Sequence, residues 1–182
     1  MREVSKDDTL YIYCHGYVDK FHKPTGEIGG DTFYFASGKK TKKEVKLTPL
    51  MLAEHLEREG LNFEHKKLKL FSCYSSEFVP LLSVIMGKKW KDLEIYGYKN
   101  ETIPAGTDFH KIAGLTYEEG VAYRKADKEI MEKEKAGLFR AKLHRVAYKN
   151  GKQIEFEVSN EEKKIESAVN ELDENFSNLK LK

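Results

Sequence analysis

Cysteine is scarce in this chain: two among 182 residues cannot form a disulfide framework. The length fits one domain and is enough to bury a sizeable core without such staples. The opening Met1-Arg2-Glu3-Val4-Ser5-Lys6-Asp7-Asp8 has no apolar segment, so neither a signal peptide nor a membrane span is expected. That predicts a cytoplasmic protein, where free thiols persist, or one secreted without a cleaved signal peptide, the host cytosol being one destination. Charge of one sign is missing too. Although 34% of residues are charged, the formal net charge is only +2, which points to no class of partner. Glycines 26 to 30 are followed by no Gly-Lys-Ser/Thr, which argues against nucleotide binding. His22, His55, His65, His110 and His144 stand at no metal-ligand spacing from a cysteine, so no metal site is expected. There is no internal repeat, no low-complexity tract and no basic platform interleaved with aromatics, so nucleic acid is not an expected partner.

What the chain does have is strand and helix signals in alternation. Thr9 to Cys14 is a β-branched and aromatic run that predicts a strand, and Gly16 to Gly30, with Pro24, Gly26 and Gly29-Gly30, reads as a loop. Asp31 to Ala36 is a weaker strand candidate. Thr48-Pro49 signals a helix start, with Thr48 as N-cap, an apolar face of Leu52, Ala53 and Leu56, and a stop at Gly60. Lys67 to Ser72 predicts a strand running apolar toward Cys73. A helix should follow over Phe78 to Met86, capped by Ser75 or Ser76, with Pro80 tolerated near its first turn. Leu93 to Tyr98 is the next strand. Beyond Asn100 the regularity fades through Thr102-Ile103-Pro104-Ala105-Gly106, and Tyr117 to Lys135 reads as a helix or a mobile connection.

Leu138 to Tyr148 and Gln153 to Val158 flank Asn150-Gly151, a strong hairpin signal. Ile165, Val169, Leu172, Phe176 and Leu179 form one stripe of an amphipathic helix. The expected fold class is therefore α/β: a mainly parallel sheet flanked by helices, with a C-terminal β-hairpin and helix. The expected organisation is a domain over 1–158 and a helix over 159–182 packed on it.

Two reactive side chains fall at strand ends. His15 follows the first strand and Cys73 follows the one after the helical crossover, and parallel strands joined this way deliver their C-terminal ends to one edge, where open α/β sheets keep their chemistry. A cysteine nucleophile attacks as thiolate and is activated by an imidazole or a helix N-terminus, both in prospect for Cys73. Gly16 and the Cys73 amide are candidate oxyanion donors. Taken singly, Cys73 reads as a buried strand residue and His15 as a loop histidine; their joint placement favours a dyad. Cys14, one residue before His15, should face the other side of its strand, and reads as structural.

At these residues the chain resembles the clan CD, caspase-fold cysteine peptidases, whose catalytic histidine lies in a His-Gly pair after one strand and whose cysteine ends the next core strand. It is most similar to the autoprocessing cysteine peptidase domains of bacterial toxins and related secreted effectors. His15-Gly16, Leu47-Thr48-Pro49, Leu52-Ala53 and Leu70-Phe71-Ser72-Cys73-Tyr74-Ser75 carry the likeness, over roughly half of the chain, with 58 residues between His15 and Cys73. The resemblance implies a caspase-like fold, a thiol protease with His15 and Cys73 catalytic, Gly16 and Cys73 at the oxyanion hole, and a protein or peptide substrate. Those toxin domains bring an acidic residue from upstream of the histidine. Here only Glu3, Asp7 and Asp8 precede it, none of which matches, so a third catalytic member stays open.

No cofactor is required for such chemistry. The resemblance does imply inositol hexakisphosphate as an activator, bound by a basic C-terminal hairpin region. The candidates are Arg140, Lys142, Arg145, Lys149 and Lys152, with Arg140, Lys142 and His144 sharing one face if they lie on a strand. A solvated strand face in a lysine-rich protein explains the same residues. The alternative to a hydrolase is a catalytically inactive binding module on the same scaffold, recognising a host protein or polyanion; another acyl transfer through the same dyad is a third reading.

Overall fold

Apolar alternation lays down the central sheet. In β1 (Thr9–Tyr13) Leu10 and Ile12 point to one face, and in β5 (Lys67–Phe71) Leu68 and Leu70 do the same and are fully buried. The computed structural model describes residues 5–36, 39–105 and 110–155. Between β1 and β5 come β2 (His15–Val18), β3 (Pro24–Ala36), β4 (Lys39–Leu47) and helix α1 (Pro49–Arg58). A 3₁₀ turn over Ser75–Glu77 then leads into α2 (Val79–Gly87) and β6 (Glu94–Tyr98). The chain continues through β7 (Glu101–Ala105), β8 (His110–Leu115), α3 (Tyr117–Arg124) and α4 (Lys128–Lys135), and closes its described part with β9 (Arg145–Lys149) and β10 (Lys152–Ile154).

The main sheet has five strands in the order β1-β5-β6-β9-β10. β1, β5 and β6 are parallel, whereas β9 joins β6 antiparallel and pairs antiparallel with β10. The molecule is thus mixed α/β, and its sheet is parallel in one half only. Both crossover helices cover the same face: Leu52, Ala53 and Leu56 of α1 and Val79, Leu82 and Met86 of α2 close one core with Leu68, Leu70 and Ile95. Trp90 is sealed into this core, its indole N–H donating to the Asn62 carbonyl at 3.0 Å. On the opposite face Phe71 and Tyr98 meet Ala113 of β8 and Ala141. Behind β8, Ile130 of α4 packs with Ile112, Leu115 and Phe139.

The α1 signals act as expected: the Thr48 hydroxyl accepts the Met51 N–H at 3.3 Å, Pro49 opens the helix and Gly60 follows it at φ 78°. Tyr117 to Lys135 forms two helices with a break at 125–127. Thr116 and Glu119 form a capping box at α3, and Asp127 caps α4.

Three expectations fail. Residues 16–30 are not a loop. β2, β3 and β4 form an antiparallel sheet, and only residues 19–23 turn, with Asp19 Oδ1 accepting the Phe21 and Lys23 N–H groups at 2.8 and 3.0 Å. Of the glycines that suggested a loop, Gly29 serves close strand approach, a Cβ there falling 2.0 Å from the Val45 carbonyl oxygen, and Gly26 supplies a φ of 70° within β3. Leu138 to His144 is not strand either. Successive turns, from the Arg140 N–H to Gly137 O (3.2 Å) and from the Leu143 N–H to Arg140 O (2.9 Å), wrap it and bury Leu138, Phe139 and Ala141. Arg140, Lys142 and His144 therefore share no strand face. Finally, neither Ser75 nor Ser76 caps α2; the Ser75 hydroxyl donates toward Leu70 O and Ser72 O and accepts the Tyr98 N–H, tying the end of β5 to β6. The Asn150-Gly151 turn is formed, both residues at positive φ. The end of the expected strand at 156–158 and the expected helix over 159–182 lie outside the described residues.

Candidate active site

Register decides what the strand ends bring together. Every β1–β5 pair, from Thr9 with Lys67 to Tyr13 with Phe71, joins residues 58 apart in sequence. His15 and Cys73 have the same separation and stand two residues past the last rung. The chain keeps this proximity beyond the ladder: the Cys14 N–H donates to Phe71 O at 3.4 Å, and a Cβ on Gly16 would fall 1.7 Å from Cys73 O. Gly16 is glycine because the Cys73 backbone occupies the space of a side chain.

His15 and Cys73 line one cleft of about 420 Å³. Tyr13, Phe71 and Ile103 give it apolar walls, and Thr102 and Arg124 also face it. His15 is exposed and Cys73 half-buried. Among the described residues, the hydrogen bonds to Cys73 Sγ all involve Thr102: the Thr102 N–H donates at 3.3 Å, the thiol faces Thr102 O at 3.5 Å, and Thr102 Oγ1 lies at 3.7 Å.

The chain then turns at Tyr74, whose φ of 55° is rarely adopted by an aromatic residue. The Tyr74 N–H donates to Asn100 O at 2.7 Å, which fixes the turn against the start of β7. Tyr74 lines a second, more polar cleft of about 570 Å³ with Lys23, Glu77 and Lys99, and burial pushes its phenol up to about 12. Cys73 thus lies two residues before a 3₁₀ turn, with α2 beginning only at Val79.

Cys14 is different in kind. Strand parity turns it toward the core under α1 and α2, although it also borders the cleft. Burial pushes its thiol up to about 11, with a hydrogen bond from Ser72 opposing the shift. It is a neutral thiol near neutral pH.

The described upstream acids, Asp7 and Asp8, stand at the N-terminal end of β1, away from His15. Asp7 pairs with Lys66 at 2.6 Å, beside the N-terminal ends of β1 and β5 and so at the far end of the strands from His15; that hydrogen bond holds its carboxyl below the usual range. Glu3 lies outside the described residues. An acid that sequence reasoning missed is Glu101. Its carboxylate is buried and accepts from Arg124 Nη1 at 3.1 Å, and burial raises its pKa against the opposing Arg124 charge. The β-branched pair Thr102-Ile103 signalled the strand that carries it; Pro104 obscured that signal, and is tolerated because, among the described residues, β7 pairs with β8 alone.

The basic candidates lie on two segments, the turns before β9 and the β9–β10 hairpin. Arg140 and Lys142 lie exposed in the turns before β9, Arg145 stands over the Tyr96 ring at 5.5 Å, and Lys149 pairs with Asp92 at 2.9 Å. Lys152 faces Lys149 across the β9–β10 hairpin. The His144 ring nitrogen Nε2 contacts Leu138 O at 2.7 Å, so this histidine braces the turn. Among the described residues no helix is long and apolar enough to cross a membrane, and no group of three His, Cys, Asp or Glu side chains is placed to hold a metal ion. No family model matches the chain, and no curated protein or solved structure matches it.

Proposed function

We propose that this protein is a cysteine endopeptidase of the caspase-like type, acting through Cys73 and His15. The observation that carries the reading is the shared register: a thiol and an imidazole two residues beyond paired parallel strands, lining one cleft, with Gly16 pressed against the Cys73 backbone. In this reading the Cys73 thiolate attacks the carbonyl carbon of a peptide bond and forms an S–C bond. The amides of Gly16 and Cys73 receive the oxyanion. His15 carries the thiol proton to the leaving amine, and the C–N bond breaks to leave an acyl-enzyme. Water, deprotonated by His15, then releases the carboxylic acid and restores the thiol. The toxin or effector setting and activation by inositol hexakisphosphate belong to the same proposal and rest on the sequence resemblance.

A second reading, an inactive binding module for a host protein or polyanion, is favoured by one feature: the sulfur's hydrogen bonds are to Thr102 rather than to His15. Peptidyl acyloxymethyl ketones differing in the residue before the electrophile separate the two. The peptidase forms a covalent adduct at Cys73 with at least one of them, lost in Cys73→Ala and at least tenfold slower in His15→Ala. No adduct across the series, with and without inositol hexakisphosphate, would sink the hydrolase reading. A melting-temperature series with the same polyphosphate tests the activator: no stabilisation well above micromolar concentration removes it.

A further inference from the structure

We infer that Thr102 holds the Cys73 sulfur in its reactive form, its amide and hydroxyl donating to the thiolate and its carbonyl accepting from the thiol. This rests on the peptidase reading of the same site and adds a residue to it. One residue offers a partner for each protonation state: N–H at 3.3 Å and Oγ1 at 3.7 Å for the anion, carbonyl oxygen at 3.5 Å for the S–H. Hydrogen bonds to an anion are stronger than those to its neutral form, so the amide and hydroxyl hold the sulfur most firmly when it carries the charge with which it attacks. Because His15 is exposed and makes no hydrogen bond to the sulfur in this structure, a thiolate at Cys73 needs a donor that is already in place, and Thr102 is that donor.

Thr102 is also held by the two residues that precede it. Its neighbour Glu101 is buried and bound to Arg124 of α3, and a Cβ on Gly120 would sit 1.9 Å from Glu101 Oε2, so β7 lies directly on that helix. One residue earlier, the 2.7 Å bond from the Tyr74 N–H to Asn100 O fastens the chain before Thr102 to the residue after Cys73. The start of β7 is thereby tied to the end of β5, and the sulfur's partners are preorganised.

The test is the rate of iodoacetamide alkylation of Cys73 in the native protein, read on its own peptide by mass spectrometry in wild type, Thr102→Val, Thr102→Ser and His15→Ala. Thr102→Val keeps the backbone N–H and carbonyl and removes only the hydroxyl, the longest of the three contacts. At neutral pH it therefore slows Cys73 labelling about threefold, and Thr102→Ser keeps the wild-type rate. The deficit closes at high pH, where the thiol ionises unaided. Protection of Cys14, unchanged in the same samples, shows that the fold is intact; if Thr102→Val loses it, Thr102→Ala carries the same expectation. Wild-type labelling of Thr102→Val at neutral pH, or a deficit that persists undiminished at high pH, would overturn the inference. Slowing by Thr102→Val with no effect of His15→Ala would keep the inference and refute the dyad; the reverse pattern would do the opposite.

Discussion

Cys14 and Cys73 end neighbouring strands of one sheet and both border one cleft, yet their surroundings differ. Cys14 faces the core under α1 and α2, and its thiol is pushed up to about 11. Cys73 has passed the last rung of its ladder, faces a cleft beside an exposed imidazole, and is met by the amide, hydroxyl and carbonyl of Thr102. The contrast shows how little is needed to divide packing from chemistry. One step along a strand selects the face, and two steps beyond a ladder free a side chain from it.

The largest expected effect comes from abolishing the contact that brings the two strand ends together. Gly16→Ala forces a methyl group to 1.7 Å from Cys73 O, so one backbone must move. The expected cost is about 3 kcal/mol or more, read as a lower urea midpoint, with Cys73 labelling slowed in whatever protein remains folded.

The second effect sharpens the contrast by pH. Cys14 titrates at 9.0 when unperturbed and at about 11 in the fold, so the folded state holds this proton when the unfolded chain has released it. Stability from this thiol is intact below pH 9 and is lost as pH rises to about 11, a loss of about 2 to 3 kcal/mol. Cys14→Ala removes that part of the alkaline slope, and unfolding free energies measured between these pH values check it.

The smallest effect compares serine at each position. Cys14→Ser places a hydroxyl against apolar core and costs about 1 to 2 kcal/mol, whereas Cys73→Ser, beside polar partners in the cleft, changes stability by about 0.5 kcal/mol or less. Equal losses in thermal unfolding would erase the distinction.

Much of this arrangement was legible in sequence where local punctuation and periodicity agree: Thr48-Pro49 at α1, the buried run of α2, the Asn150-Gly151 turn, and the strands leading to His15 and Cys73. The register that aligns those two residues was not, because pairing is a long-range choice that sequence spacing only permits. Gly29 read as a loop residue, since the need for close strand approach looks the same as the need for a turn until the partner strand is known. The alternation from Leu138 to His144 read as strand, but Gly137 at φ 84° starts a series of turns whose apolar residues pack against β8 instead. Thr102, Glu101 and Arg124 converge from β7 and α3, with no local pattern to join them.

The central claim is that Cys73, and not Cys14, is the activated thiol and that His15 activates it. Residue-resolved alkylation of both cysteines in the native wild-type protein and in His15→Ala tests this most directly. The account predicts that Cys73 reacts faster than free cysteine at neutral pH, that Cys14 stays protected, and that His15→Ala slows Cys73 at least tenfold while leaving Cys14 unchanged. Cys73 reacting no faster than free cysteine and at the same rate without His15 would contradict it.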